Sequence, residues 1–183
     1  MQLDHTLGCV NFRDVGEFVN LIAGQPLLPE KRLYRGGKLD YVKAATDIGS
    51  PGTIINFRSS ADSDRFGADL IHLPTPNTLE AYTTVSPATR KWLIDFVNVF
   101  LDENIRFPVL IHCLSGKDRT GIAVAALLRI LDIPEEIIVE EYRLSDGKLE
   151  EQTLQQALKG FGDLTTYFKG INMNSVVARI LAK

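Results

Sequence analysis

The chain has 183 residues, 45% of them hydrophobic and 23% charged, with a formal net charge of -3. That is enough apolar material for one folded domain with a substantial core, and it excludes a disordered chain. The mildly acidic balance argues against nucleic acid or an anionic membrane as a partner, while leaving room for a local basic pocket.

Gly8 to Gly24 reads as short β-like pieces broken by charges and glycine. KRLYRGGKL predicts a strand at Leu33–Arg35 followed by a glycine turn, and Leu39, Val42 and Ala45 could line a short helix. Ser50-Pro51-Gly52 marks a turn, and the β-branched Thr53–Phe57 predicts a buried strand. A polar loop from Arg58 to Asp64 leads to a second short strand in DLIHLP, and Thr75 to Pro87 reads as a long loop.

Trp92, Phe96 and Val99 then fall on one stripe of a helix from about Ala88 to Leu101. Pro108 opens a strand at Val109–Ile111. A loop, Cys113–Lys117, leads into a helix from Asp118 to Leu131 that is apolar nearly all round and so should be central. Pro134 introduces a helix to about Leu144, and further helices are expected at Leu149–Lys159, near Asp163–Phe168, and through Leu181 with Asn174 as its cap. Strands alternating with helices, then helices alone, predict an α/β fold. A mainly parallel central sheet is flanked by helices, with a helical C-terminal region, in a single domain over residues 1–183.

Two cysteines, Cys9 and Cys113, are too few for a disulfide framework, although they could form a reversible pair. His5, His72 and His112 lack zinc-like spacing, so neither metal nor cofactor is expected. The opening residues do not read as a signal peptide, and the longest apolar run, Ile122–Leu128, is too short to span a bilayer. A cytoplasmic setting without integral membrane contact is the expectation.

The chemistry concentrates in VLIHCLSGKDRTG, Val109 to Gly121. A strand enters this loop and a helix leaves it, the position where ligands gather in open α/β sheets. The helix start presents unpaired N–H groups and a favourable dipole, and a turn at Gly116 could aim successive amides inward as an anion nest. Arg119 could supply a planar fork to two phosphate oxygens. Those groups favour the thiolate of Cys113, which could attack phosphorus to give a phosphocysteine. A buried structural cysteine is the bland alternative, and the shared loop with glycine, lysine and arginine weighs against it. A nucleotide-binding loop fits poorly, because the glycine run before Gly-Lys-Ser/Thr is absent.

HCLSGKDRTG resembles the signature loop of the cysteine-based protein tyrosine phosphatase superfamily, in the form typical of its bacterial and fungal tyrosine-phosphatase-like group. NFRDVG at Asn11–Gly16, LYRGGKL at Leu33–Leu39, TIINFRS at Thr53–Ser59 and the downstream Glu141-Tyr142-Arg143-Leu144-Ser145 resemble further segments of that group. The resemblance implies Cys113 as nucleophile, Arg119 as the phosphate-binding residue and Thr120 as the hydroxyl that helps Cys113 leave. It implies His112 as a support of the loop and the thiolate. The amides of Leu114, Ser115, Gly116, Lys117 and Asp118 would cradle phosphate.

Many superfamily members carry the general acid on a separate loop, and here the stretch from His72 to Pro87 has no aspartate. Asp118, immediately before the signature arginine, matches the acid proposed for the resembling group. Asp62 and Asp64 are rivals, and Glu80 a weaker one. Lys117 could favour substrates with several phosphates. Arg13 and Asp14 read as braces of the N-terminal segment, Arg35 and Arg58 as residues that orient loops, and Tyr82 as a pocket or loop-covering residue.

The expected activity is a metal-independent phosphomonoester hydrolase, with a phosphotyrosine protein as the first substrate and dual-specificity or phosphoinositide activity as the close rival. A rhodanese-like sulfurtransferase and a silent phosphopeptide-binding module are the alternatives from other classes.

Overall fold

The structure, a computed structural model, describes residues 8–63, 66–75, 79–145 and 151–182. Its five strands are β1 (Arg13–Asp14), β2 (Leu33–Gly36), β3 (Thr53–Asn56), β4 (Asp69–His72) and β5 (Val109–His112), in the order β1-β2-β5-β3-β4. Only β1 runs antiparallel to its neighbour; β2, β5, β3 and β4 pair in parallel. The helices are α1 (Val15–Ala23), α2 (Pro87–Val99), α3 (Asp118–Ile130), α4 (Glu135–Arg143), α5 (Glu151–Phe161), α6 (Leu164–Tyr167) and α7 (Met173–Leu181). The mainly parallel sheet and the helical C-terminal half match the fold class expected from the sequence.

Strand alternation sorts the side chains onto two faces. Leu33, Ile55, Phe57, Val109, Ile111 and Cys113 join a large core to which every helix contributes. Tyr34, Ile54 and Leu110 point to a smaller cluster with Cys9, Leu39 and Ile48. Both central strands, β3 and β5, are buried throughout. The interior of α3 is buried on all sides from Arg119 to Leu128, which explains its lack of a polar face. Phe57 sets its ring edge against Trp92 and Phe96, at centroid distances of 4.9 and 5.3 Å, and so fixes α2 to the sheet.

Four local expectations need correction. Most of Gly8–Gly24 is not β-like: only Arg13–Asp14 is extended before α1. Asp14 Oδ1 accepts from the amides of Gly16 and Glu17, Val15 and Val19 are buried, and Gly24 ends the helix at φ 66. Capping and burial of one face override the strand preference of its valines and phenylalanine. The helical turn expected around Leu39–Ala45 forms later, as a 3-10 turn at Ala45–Ile48, where Asp47 accepts from the amides of Lys43 and Ala44. The cap of α7 is Asn172, not Asn174. The stretch read as a loop from Thr75 to Pro87 also holds a 3-10 turn, Leu79–Tyr82.

The N-terminal segment, β2 and α4 meet in a buried charge cluster. Glu141 Oε1 accepts from Arg13 Nε at 2.8 Å and its Oε2 from Arg35 Nη1 at 2.5 Å, with all three side chains at most 2% exposed. Ser145 Oγ accepts from Arg13 Nη2 at 3.1 Å. The bracing role expected of Arg13 is present, with Glu141 rather than Asp14 as its partner. Burial alone would push the Glu141 carboxyl up. The charges of Arg13 and Arg35, with their hydrogen bonds, outweigh it and hold the carboxyl below the usual carboxylate range.

A carboxyl depressed in the folded state adds stability above its unfolded value, about 4.3, and loses it as pH falls through the folded one. Glu141→Gln should therefore destabilise the protein at pH 7 by about 3 kcal/mol or more, because two buried guanidinium groups lose their counter-charge. It should also flatten the stability loss below about pH 4. Urea unfolding across pH 3 to 7 reads both effects.

Candidate active site

Cys113 follows the central strand β5, at the carboxyl end of the parallel sheet, and α3 begins at Asp118. Period-two alternation puts Cys113 on the face of Val109 and Ile111, beneath α3, and turns His112 to the opposite face. Cys113 is 1% exposed, and its amide bonds to Gly36 O at 3.4 Å. Residues 114–117 then curl over the end of β2.

Three successive carbonyls of this loop are held from outside. Leu114 O accepts from the amide of Lys38 at 3.0 Å, Ser115 O from Asn11 Nδ2 at 2.8 Å, and Gly116 O from Arg35 Nη2 at 3.0 Å. A trans peptide points its C=O and N–H in opposite directions. Drawing the carbonyls of residues 114–116 outward therefore turns the amides of Ser115, Gly116 and Lys117 toward the concave side. Gly116 has φ 70, and a Cβ there would lie 2.4 Å from Gly36 C, so the loop can cross the backbone of β2 only with glycine at this point. The N-cap of α3, Lys117, makes no side-chain cap bond, which leaves the first amides of the helix available as well. The result is an anion-binding nest over the end of β5.

Arg119 is 8% exposed. Its Nη1 donates to Phe57 O at 2.8 Å, while its buried Nε has no partner among the described residues. The buried hydroxyl of Thr120 also has none. A buried donor without a partner is costly, and both residues belong to the same turn of α3 as the nest. An oxyanion is the chemical group that would satisfy such donors.

His112 is fully buried, and its Nε2 lies 2.8 Å from Asp62 Oδ2. An ionised carboxylate only accepts, so His112 is the donor. Asp62 Oδ1 stands 3.5 Å from Arg58 Nη1, and that guanidinium also bonds Asp40 at 2.7 Å. Asp62 is therefore neither a solvated loop residue nor a carboxylate free to face a substrate: its side chain is 3% exposed and engaged by His112 and Arg58. Asp64 and the side chain of Glu80 lie outside the described residues.

Asp118, the first residue of α3, accepts from Tyr82 Oη through Oδ1 at 2.6 Å. Tyr82 thus borders the loop chemistry as well as covering the segment before α2. Its hydroxyl is also in hydrogen-bond contact with that of Tyr142 on α4. Lys117 and Ser115 are half-buried at the loop and Leu114 is 54% exposed.

Nucleophile candidate, arginine, threonine, Asp118 and the loop amides are thus gathered at one strand end. Arg35 orients the loop, as expected from the sequence, while Asn11, Lys38, Glu141 and Tyr142 are supports of the site that the sequence does not reveal. Their segments resemble family motifs, but a single sequence does not tell that Asn11 and Ser115 touch across 104 positions.

Both cysteines are free, and burial pushes the Cys9 thiol up to about 12. No group of three or more His, Cys, Asp or Glu among the described residues is placed to hold a metal ion. No helix among them is long and apolar enough to cross a membrane.

A stretch of 44 residues is 41% identical to the triple specificity protein phosphatase PtpB of Mycobacterium tuberculosis, covering 24% of this chain and 16% of that protein. A match of the same length to a tyrosine-protein phosphatase of Nostoc commune is 48% identical and covers 24% of this chain and 15% of the relative. Among solved structures, the core catalytic domain of the PP-IP phosphatase SIW14 from S. cerevisiae shares the fold. Its TM-score is 0.60, at 16% identity, over 82% of this chain and 94% of that one. The model of the tyrosine phosphatase family matches residues 5–180, nearly the whole chain, and with the loop geometry above it establishes that the chain belongs to that family.

Proposed function

We propose that this chain is a cysteine-dependent phosphomonoester hydrolase that needs no metal ion, with phosphotyrosine in a protein as its first substrate. One observation carries the proposal: three loop carbonyls held outward leave inward amides beside Cys113, next to a buried Arg119 Nε without a partner among the described residues. Family membership over residues 5–180 supports it.

In the first step the thiolate of Cys113 attacks phosphorus. An S–P bond forms as the P–O bond to the leaving group breaks, and the Asp118 carboxyl passes its proton to the departing oxygen. The nest and the Arg119 guanidinium bind the three non-bridging oxygens and stabilise their charge in the transition state. In the second step water attacks phosphorus and gives a proton to Asp118. The S–P bond breaks, and Thr120 donates to the departing thiolate. An alcohol or phenol and inorganic phosphate are the net products. His112, fixed by Asp62, holds the end of β5 in register beneath the loop.

The match to a protein named for triple specificity favours a second reading, a specificity broader than phosphotyrosine, for which alkyl phosphates and phosphoinositides are the substrates we propose. A single catalytic domain is proposed too, supported by the core that all seven helices share. The two free cysteines support a reducing, cytoplasmic setting.

Phosphate release from a phosphotyrosine peptide in EDTA tests the assignment, with phosphoserine peptide and phosphoinositide run beside it. Cys113→Ser should abolish turnover while phosphate analogues still bind. No release from any of the three substrates by the parent protein, in reducing buffer across pH 5 to 8, would remove the hydrolase reading.

Asp118→Asn should lower kcat on poor leaving groups by about two orders of magnitude or more. The loss should shrink on 4-nitrophenyl phosphate, whose leaving group departs without a proton. A loss equal on both substrates would take the acid role away from Asp118.

A further inference from the structure

Asp118 presents two carboxyl oxygens, and among the described residues only Oδ1 is tied. Tyr82, from the 3-10 turn at Leu79–Tyr82, donates its phenolic hydrogen to Oδ1 at 2.6 Å. With that hydrogen committed, the Tyr82 oxygen has only lone pairs to offer, so the phenol of Tyr142 on α4 donates to it. Three residues from three elements thus form one directed chain, Tyr142 to Tyr82 to Asp118. Gly121 makes room for it. One turn beyond Asp118 on the same helix face, a Cβ at this position would lie 2.4 Å from Tyr142 Cε2.

We propose that Tyr82 and Tyr142 are positioning residues for the general acid: they fix Asp118 Oδ1 as an acceptor and thereby make Oδ2 the oxygen that carries and delivers the proton. The inference rests on Asp118 as the acid. A neutral carboxyl has one C=O and one O–H oxygen, and the oxygen receiving a phenol hydrogen bond is the C=O. When Oδ2 hands its proton to the leaving oxygen, Asp118 becomes a carboxylate and the Tyr82 bond becomes charge-assisted, hence stronger. In the second step water returns a proton to Oδ2. Neither phenol loses its own proton in the cycle.

Burial pushes the Tyr142 hydroxyl up to about 12, and burial with the Asp118 hydrogen bond raises that of Tyr82, so both are neutral donors at working pH. Among the described residues, the other ionisable groups at this corner are Arg35 from β2 and Cys113 at the end of β5, with Lys117 and Arg119 on either side of Asp118 in the chain. The described buried side chains that α5 brings against α3 and the turn are apolar, Leu154, Ala157 and Leu158 among them.

The connection from β4 to α2, which lacks an aspartate, therefore reaches the site with a phenol. It orients a carboxyl carried by the loop's own helix instead of supplying one.

The test compares the parent with Tyr82→Phe, Tyr142→Phe and Asp118→Asn, using phenyl phosphate and 4-nitrophenyl phosphate, each over pH 4 to 9. Both phenylalanine variants keep the ring and its packing, and thermal melts verify that they fold. Tyr82→Phe should lower kcat on phenyl phosphate about tenfold, the scale of one lost hydrogen bond to a charged group. The loss should be several-fold smaller on 4-nitrophenyl phosphate.

A donor to a carboxylate favours its charged form, so its removal should move the alkaline limb of the kcat profile upward by about half a pH unit or more. Tyr142→Phe should show the same signs with smaller size.

Equal losses on both substrates with an unmoved limb in Tyr82→Phe would reduce Tyr82 to packing and overturn the proposal. If Asp118→Asn itself shows no leaving-group dependence, the acid assignment fails, and the positioning role fails with it. If Asp118→Asn shows that dependence and both tyrosine variants match the parent, the acid assignment stands and the positioning role alone is wrong.

Discussion

The carbonyls of Leu114, Ser115 and Gly116 each have a donor outside the loop, and the rest of the site depends on that arrangement. A free loop of this length would point its peptide groups many ways and would have to reorganise them around each arriving anion. Here the backbone of Lys38, the amide of Asn11 and the guanidinium of Arg35 have already made that choice. Preorganised dipoles of this kind stabilise developing charge without a reorganisation cost at the moment of reaction.

The buried charge cluster behind the loop follows from the same need. Replacing buried ion pairs by apolar side chains is often neutral or stabilising, so Arg13, Arg35 and Glu141 are poorly explained as a source of stability alone. Their placement explains them better. Arg35 has one nitrogen on Glu141 and another on Gly116 O, so the carboxylate of α4 sets the orientation of a guanidinium that in turn holds the loop. Arg13 occupies the second oxygen of Glu141 and the backbone of the same helix, which keeps the carboxylate from swinging away.

The parts legible in the sequence are those governed by local pattern. The apolar run Val109–Ile111 after Pro108 and the all-round apolar run of α3 mark the strand, the helix and the loop between them in the sequence alone. The Cys113-to-Arg119 spacing was readable for the same reason. Long-range pairing was not. Nothing in the order of residues says that Asp62 meets His112 or that Tyr82 meets Asp118. Asp62 in particular sits in a polar loop that reads as solvated, and only the fold brings a buried imidazole against it. Helix α1 belongs to this class as well, since its valines gain more from the core than strand propensity suggests.

Asn11 reaches Ser115 across 104 positions, Arg35 reaches Glu141 across 106, and Arg13 reaches Glu141 across 128. During synthesis from the N-terminus, Arg13 and Arg35 are therefore made long before their counter-charge. Cys113 likewise precedes α4, which orients its support. Contacts of such sequence separation form late, after the loop-closure entropy between them has been overcome. A nascent chain that ends before Glu141 thus holds the whole signature loop and the three residues that bond its carbonyls, but lacks the carboxylate that orients Arg35 against Gly116 O.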